Sequence, residues 1–481
     1  MGGPMRGLAS RRGTLRPSLM VWCALGLAAL TVRTAASAAA NASPSAHELV
    51  SGLSALGPRP DGKPGQERAV AFLIDALRRA GLREVRTVPV AGRRSVVNIE
   101  GMLPGETDRE IILSGHYDTV PQSPGADDDA SGCSLAIAVA ADLARSPQTP
   151  LRHTLRVVLF DGEETGLYGS RGWVEGLSPA ARDRILADVN LEMVGWPGST
   201  GATVHAIPSV LKPGRNRGKR TTTPGWLVDA ALAGGRSAGW PLHVADPRRP
   251  LAMQLLLRGT RVRFGADSGA FLERGIPAVT LSDSSFFAMD PAYHKPVDRA
   301  GRLDAGRLEA WTRAVAATVR RLDGLEGRPR PDDEYLVLAG RVWSRWALAG
   351  IGLALAALLV VRYRFPPGWP FPVLLAAACL IAPTLALPLL APAALLAFVR
   401  PGRPAGFRGG WRALWTFLGL LPLVLYVLLL AGAWVVGLSA WKSGYQESWT
   451  GAVLVVAALG VWALTPRAPA AAAAPPDRPA S

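Results

Sequence analysis

Five short segments in the middle of the chain gather residues able to bind metals or move protons. They are SGHYDTV with His116 and Asp118, PGADDDASG with Asp127, Asp128 and Asp129, FDGEETGLYGS with Asp161, Glu163 and Glu164, NLEMVG with Glu192, and AYHKPVDR with His294 and Asp298. Taken singly, each has a plain structural explanation. A histidine beside an acid can be a satisfied surface pair, and an acidic triplet is most often a solvated or calcium-type loop. Glu163 and Glu164 resist that explanation, because adjacent carboxylates after the buried run LRVVLF repel each other unless a positive charge neutralises them. Glu192 lies in an apolar strand, LEMV, where an unpaired buried carboxylate costs on the order of several kcal/mol. Together the segments supply two imidazoles and three or four carboxylates, a donor mixture that suits Zn²⁺ better than Ca²⁺ or Mg²⁺. A carboxylate shared between two such ions holds them ~3.5–4 Å apart, where they bind and split a water. A further carboxylate free of metal can then take the proton.

Such groups need strand ends to stand on. The patterns REVRTVPV, SVVNIEGML, EIILSGHYD, LRVVLFDG, ILADVNLEMVG and IPAVTLSD read as strands. AVAFLIDALRRAG (69–81), SGCSLAIAVAADLA and AGRLEAWTRAVAATVRRLDGL read as helices. Their alternation predicts an α/β fold with a mostly parallel central sheet flanked by helices, and ligands bound at the strand carboxyl ends.

The flanks have a different character. The chain of 481 residues carries a net charge of +16, which invites a nucleic-acid reading. Residues 1–44 hold five Arg and no acid, and residues 341–481 hold eleven Lys or Arg against two acids, which leaves 37 basic and 35 acidic residues in 45–340. The basicity therefore belongs to apolar flanks and not to a folded binding face, so no nucleic-acid partner is expected. Residues 1–44 read as a signal peptide or signal anchor, with a short apolar stretch at 19–32 and Ala-x-Ala-like cleavage options at 36–40. The middle, 45–325, is followed by a polar linker (326–345), a multi-span transmembrane region (346–464) and a Pro/Ala-rich tail (465–481). Apolar runs at 346–361, 413–440 and 450–464 are expected α-helical spans, and the Pro-interrupted 369–399 is a fourth element. The positive-inside rule puts the middle domain on the extracytoplasmic side of a lipid bilayer. The apolar runs carry scarcely any ionisable residue, which favours an anchor over a transport path. The three cysteines are too few and scattered for a disulfide framework or a thiolate metal site.

The order HxD, GADDDASG, EExGLxGS, a strand acid and a late histidine resembles the co-catalytic dizinc aminopeptidases of the bacterial leucyl aminopeptidase type, whose relatives include glutamate carboxypeptidase and glutaminyl cyclase. The resemblance spans roughly 45–325, including the approach segment GPRPDGKPG. The layout, an exported peptidase followed by spans, is similar to that family's endoplasmic-reticulum and vacuolar membrane metalloproteases. The resemblance implies two Zn²⁺ per chain and peptide substrates with a free N-terminus. It implies Asp128 as the bridging ligand, His116 and Glu192 completing one ion, and Glu164 and His294 completing the other. It makes Glu163 the general base and acid, acting on the water between the ions, and Asp118 the partner that orients His116. Tyr293 or Tyr168 would help to polarise the substrate carbonyl. Three positions depart from the pattern: Glu192 is longer than the usual Asp, Lys295 replaces a common Thr, and Ser268 stands where a His is expected. Two other functions compete: a relative with cyclase or carboxypeptidase chemistry, which would show one zinc and cyclised products in the cyclase case, and a non-catalytic receptor-like ectodomain, which would have lost ligands.

Overall fold

The computed structural model describes residues 44–146, 150–199, 201–205, 223–244, 266–284, 289–330 and 335–363. The signal region and the runs at 369–399, 413–440 and 450–464 lie outside the described residues. Helix α1 (Ala46–Ala55) opens on a reciprocal cap: Ser45 Oγ accepts from the Glu48 amide at 3.2 Å, and the Glu48 carboxylate accepts from the Ser45 amide at 2.7 Å. Helix α2 (Pro64–Arg79) begins at a proline, whose fixed φ suits the first helical turn. There follow β1 (Arg83–Val90), β2 (Arg93–Leu103), β3 (Thr107–His116), a single wide turn at Ala126–Ala130, α3 (Ser131–Ala144) and β4 (His153–Phe160). Next come α4 (Tyr168–Gly176), α5 (Pro179–Arg184), β5 (Ile185–Leu191), β6 (Thr203–His205), α6 (Gly225–Ser237), β7 (His243–Val244), α7 (Ser268–Glu273), β8 (Ala278–Ser282) and α8 (Ala305–Asp323).

The eight strands form one sheet in the order β1-β2-β4-β3-β5-β8-β6-β7. Its centre, β4-β3-β5-β8, is parallel, but β1 pairs antiparallel to β2, β2 to β4, and β6 to β8. The mostly parallel sheet read from sequence is therefore a mixed one. The difference lies in connections: β1–β2 is a tight hairpin that needs no crossover helix, so alternation of patterns does not report its direction. Strand β5 is buried at all seven positions, as a strand covered on both faces must be, and its continuous apolar reading follows.

Helices cover both faces. Helix α3 is alanine-rich and buried nearly all round, wedged between the sheet, α1 and α8. On the opposite face, Ile112, Val158 and Phe160 pack with Trp173 and Phe271, whose ring centroids stand 5.8 Å apart. The chain leaves β3 for β4 on one side and returns to β5 on the other, so the loops after these strands diverge and leave a crevice beyond their carboxyl ends.

Residues 335–344, read as part of a linker, form a hairpin of β9 (Tyr335–Leu338) and β10 (Arg341–Ser344). Its two-residue turn, Ala339–Gly340, has positive φ at both positions, the twist that tight hairpins favour. The buried Tyr335 hydroxyl donates to the Thr223 carbonyl at 2.9 Å, which fastens the hairpin beside α6. Helix α9 (Arg345–Tyr363) follows directly and covers the span expected at 346–361. Among the described residues no helix is long and apolar enough to cross a membrane.

Candidate metal centre

The five segments converge at the carboxyl ends of β3, β4 and β5. His116 is the last residue of β3, and Glu192 follows the end of β5, one position past the strand that its apolar surroundings suggested. The amide of Glu192 still donates to the Leu281 carbonyl at 3.0 Å, so the residue stays tied to β8. Asp128 lies in the wide turn before α3, Glu163 and Glu164 in the loop after β4, and His294 in the loop preceding α8.

Two groups of three result, and Asp128 belongs to both. His116 Nε2 lies 3.2 Å from Asp128 Oδ1 and 3.4 Å from Glu192 Oε1. His294 Nε2 lies 3.1 Å from Asp128 Oδ2 and 3.0 Å from Glu164 Oε2. Each oxygen of Asp128 thus faces a different imidazole. Donors held ~2.0–2.2 Å from a tetrahedral zinc stand roughly 3.3–3.6 Å apart, close to these separations. His116 Nε2, His294 Nε2, Asp128 Oδ2, Glu164 Oε1 and Glu192 Oε2 are buried without a hydrogen-bond partner. Buried polar atoms normally have partners, so this set of inward-turned donors fits a pair of divalent ions.

Burial alone would favour neutral groups here, and the charges show the competition. Burial pulls the His116 pKa down, but the Glu192 charge and contacts with Asp118, Asp128 and Glu192 outweigh it and hold it well above the usual value. Burial also pushes Asp128 up, yet the close approach and positive charge of the His116 and His294 imidazoles bring it to about 2. Glu164 is raised to about 7 by burial and by the Asp128 charge, with His116 and His294 opposing. Glu163 is pushed well above the carboxylate range by burial, with His116 opposing and Glu192, Asp267 and Asp118 adding to the rise.

The backbone around the donors is pinned by further acids. Asp118 places Oδ1 at 3.3 Å from His116 Nδ1, and its two oxygens accept the amides of Glu163 (3.1 Å) and Glu164 (3.2 Å). Asp129 accepts the amides of His116 (3.2 Å), Gly132 (3.0 Å) and Met193 (3.0 Å), joining the ends of β3 and β5 to the start of α3. Asp298, one of the metal-capable residues in the sequence, accepts the amides of Asp127 (2.8 Å) and Asp128 (3.2 Å) and belongs to neither group. The glycine closing GADDDASG is sterically required: a Cβ on Gly132 would meet the Leu191 carbonyl at 2.3 Å. His294 has φ of +58°, a conformation that few residues with a side chain adopt and one found where a loop must present a group.

The remaining sequence candidates separate. Tyr293 stacks on the His294 ring with centroids 3.7 Å apart and is part exposed. Tyr168 begins α4, and its ring carries the Arg93 guanidinium 3.6 Å from the centroid. Lys295 turns to its own loop, donating to the Pro291 carbonyl at 2.6 Å. Ser268 bonds Thr280 Oγ1 at 2.7 Å and joins neither group. Sequence reasoning passed over Asp129 and Asp298 as braces, because an acid that accepts backbone amides has the same letter as one that binds a metal.

The chain is similar to several known peptidases. Aminopeptidase YwaD of Bacillus subtilis is 27% identical over 226 residues, covering 46% of this chain and 42% of its own. A probable zinc metalloprotease of Leptosphaeria maculans is 35% identical over 115 residues, 22% of this chain and 25% of its own. A putative endoplasmic reticulum metallopeptidase of Caenorhabditis elegans is 29% identical over 221 residues, 46% of this chain and 21% of its own. The match thus spans less than half the length of each of these relatives. Among solved structures, a zinc aminopeptidase from Bacillus subtilis superposes with a TM-score of 0.46 at 17% identity, covering 57% of this chain and 94% of that one. Residues 98–319, which contain all the donors described above, match the model of Peptidase family M28, so this segment is similar to that family.

Proposed function

We propose that the chain is a zinc-dependent aminopeptidase that removes residues from peptides with a free N-terminus. The observation that carries this reading is the pair of three-donor groups sharing Asp128, with Glu163 beside them in neither group. Zinc held by such donors supplies a Lewis acid for the peptide carbonyl and a water acidified toward a pKa of ~7.

The protein's own residues do the rest. Asp128 takes one oxygen to each side, His116 and Glu192 complete one set, and Glu164 and His294 complete the other. Asp118 orients the His116 ring through Nδ1 and holds the Glu163–Glu164 loop by its amides, so one carboxylate aligns a ligand and the base together. Glu163, raised by burial, takes the proton from the attacking water and delivers it to the leaving amine. Tyr293 lies beside His294 with part of its ring open, which favours it as the hydroxyl that meets the substrate carbonyl; the Tyr168 ring is engaged by Arg93. The basic, apolar flanks favour an exported domain tied to a lipid bilayer by several spans. The similarity to a relative named an endoplasmic reticulum metallopeptidase points the same way.

The test is the full chain assayed on aminoacyl-nitroanilides, with zinc counted per chain. Turnover abolished by chelator and restored by zinc is expected. Glu163→Gln is expected to keep both ions and lose ~10²–10⁴-fold in turnover. A single zinc with cyclised product from N-terminal glutamine peptides would replace the reading with cyclase chemistry, and undiminished turnover in Glu163→Gln would remove that residue from the mechanism.

A further inference from the structure

The approach segment GPRPDGKPG contributes no donor to either group, yet it holds the only fully buried arginine among the described residues. Arg59 is 0% exposed. No carboxylate pairs with it directly among the described residues; its donors go to backbone carbonyls instead. Nε reaches the Tyr117 carbonyl at 2.8 Å, Nη2 the Gly125 carbonyl at 2.9 Å, and Nη1 the Pro124 carbonyl at 2.5 Å, with Gly57 and Leu53 farther off at 3.3 and 3.5 Å. Its own amide donates to Thr119 Oγ1 at 2.8 Å.

These acceptors are not scattered. Tyr117 lies between His116 and Asp118 at the end of β3. Pro124 and Gly125 lead into the turn that carries Asp128. The loop between them passes close to the guanidinium: Gly125 has φ of +57°, and a Cβ there would stand 3.0 Å from Arg59 Nη2 and 2.3 Å from the Asp128 carbonyl. One planar fork therefore spans the two segments that hold a histidine ligand, its orienting acid and the shared carboxylate. Burial pulls the Arg59 pKa down to about 10, with Cys133, Asp118, Asp298 and Asp128 holding it up, so the group is charged near neutrality.

We propose that Arg59 is a positioning residue that fixes the spacing between His116 and Asp128, and so sets the affinity of the centre for its metals without touching metal or substrate. A guanidinium suits this task because its donors lie in one plane at fixed angles, whereas an ammonium reaches one point at a time. A charged donor also strengthens bonds to carbonyls in a site that excludes water.

The inference rests on the metal reading, and the test separates the two. Zinc affinity of the full chain is measured by competition with a chromophoric chelator, beside the visible spectrum of the cobalt-loaded protein and the melting temperature of the metal-free one. Arg59→Met is expected to weaken zinc binding ~10–100-fold and to alter the cobalt spectrum, as loss of groups behind metal ligands commonly does. Arg59→Lys, which keeps the charge and loses the fork, is expected to fall between the two. A merely structural arginine would lower the metal-free melting temperature and leave zinc affinity of the folded protein unchanged. Should Arg59→Met fail to fold, Arg59→Lys decides: a loss of about threefold or more supports the role and a smaller one overturns it. A parent chain that binds no zinc would sink the metal reading itself, whereas equal affinities in parent and variants sink only the role of Arg59.

Discussion

The two halves of the centre are built differently. The half with His116 and Glu192 stands on strand ends, its histidine side chain 1% exposed, its backbone held by Asp129 and its ring backed by Asp118. The half with His294 hangs on a loop, with the side chain 32% exposed and the backbone in a left-handed conformation. A donor set fixed by a sheet loses little freedom on binding an ion. One presented by a loop must be ordered as well, at a cost in conformational entropy. The rigid half should therefore bind its metal more tightly, and the open half should exchange its metal and meet substrate.

The strongest challenge to that contrast is removal of the group that the halves share. Asp128→Ala should empty both positions, so that zinc falls toward zero per chain and turnover drops by at least ~10³-fold. His294→Ala should empty only the open half and keep about one zinc per chain, read by metal analysis after dialysis. Equal loss from the two variants would mean that the halves are not independent sites.

A smaller effect is expected from Asp118, whose two oxygens serve the rigid half and the base loop at once. Asp118→Asn keeps the shape but can accept through only one atom, and should cost ~10–100-fold in kcat/KM. Kinetics resolved into kcat and KM would show the loss mainly in kcat, since the residue touches no substrate. An effect confined to KM would place Asp118 elsewhere in the mechanism.

The smallest effect is on stability, away from the centre. Asp188 is wholly buried in β5; burial raises its pKa well above the ordinary value, against a hydrogen bond from Ser114 Oγ at 2.7 Å and with Asp267 adding to the rise. A raised folded-state pKa stabilises the fold at low pH and loses that contribution as pH rises through it. Asp188→Asn should therefore melt higher than the parent at pH 8, with the gap closing toward pH 4, and activity should be nearly unchanged. A gap that widened on acidification would reverse the assignment.

Much of this was legible in the sequence because chemistry and local pattern coincide there. The six strands and three helices read from pattern all exist, most of them carrying an apolar period or a continuous buried run, although β1 buries only Val90 fully. Glu163, Glu164 and Glu192 stood out because unpaired carboxylates beside apolar runs are costly, whereas the ligand roles of His116, Asp128, Glu164, Glu192 and His294 were implied by the family resemblance. The hairpin at 335–344 was hidden by the polar, proline-containing run before it. Helix α4 opens on Leu167, a non-glycine residue in a left-handed conformation, which a propensity scale would not choose.

The distinction between ligand and brace is what the letters lack. Asp127, Asp128 and Asp129 are adjacent and chemically identical, and they serve different partners because the backbone at Asp128 and Asp129 departs from helical geometry. By itself the sequence determined the donor inventory, the strands that end beside it and the basic apolar flanks, all consequences of side-chain polarity and short-range period. The tertiary structure decided which acids hold amides and that Arg59 bridges the segments of His116 and Asp128, whereas the shared place of Asp128 was already implied by the resemblance. Those outcomes depend on the parallel side-by-side placement of β4, β3 and β5 at the centre of the sheet, a long-range arrangement that no local stretch encodes.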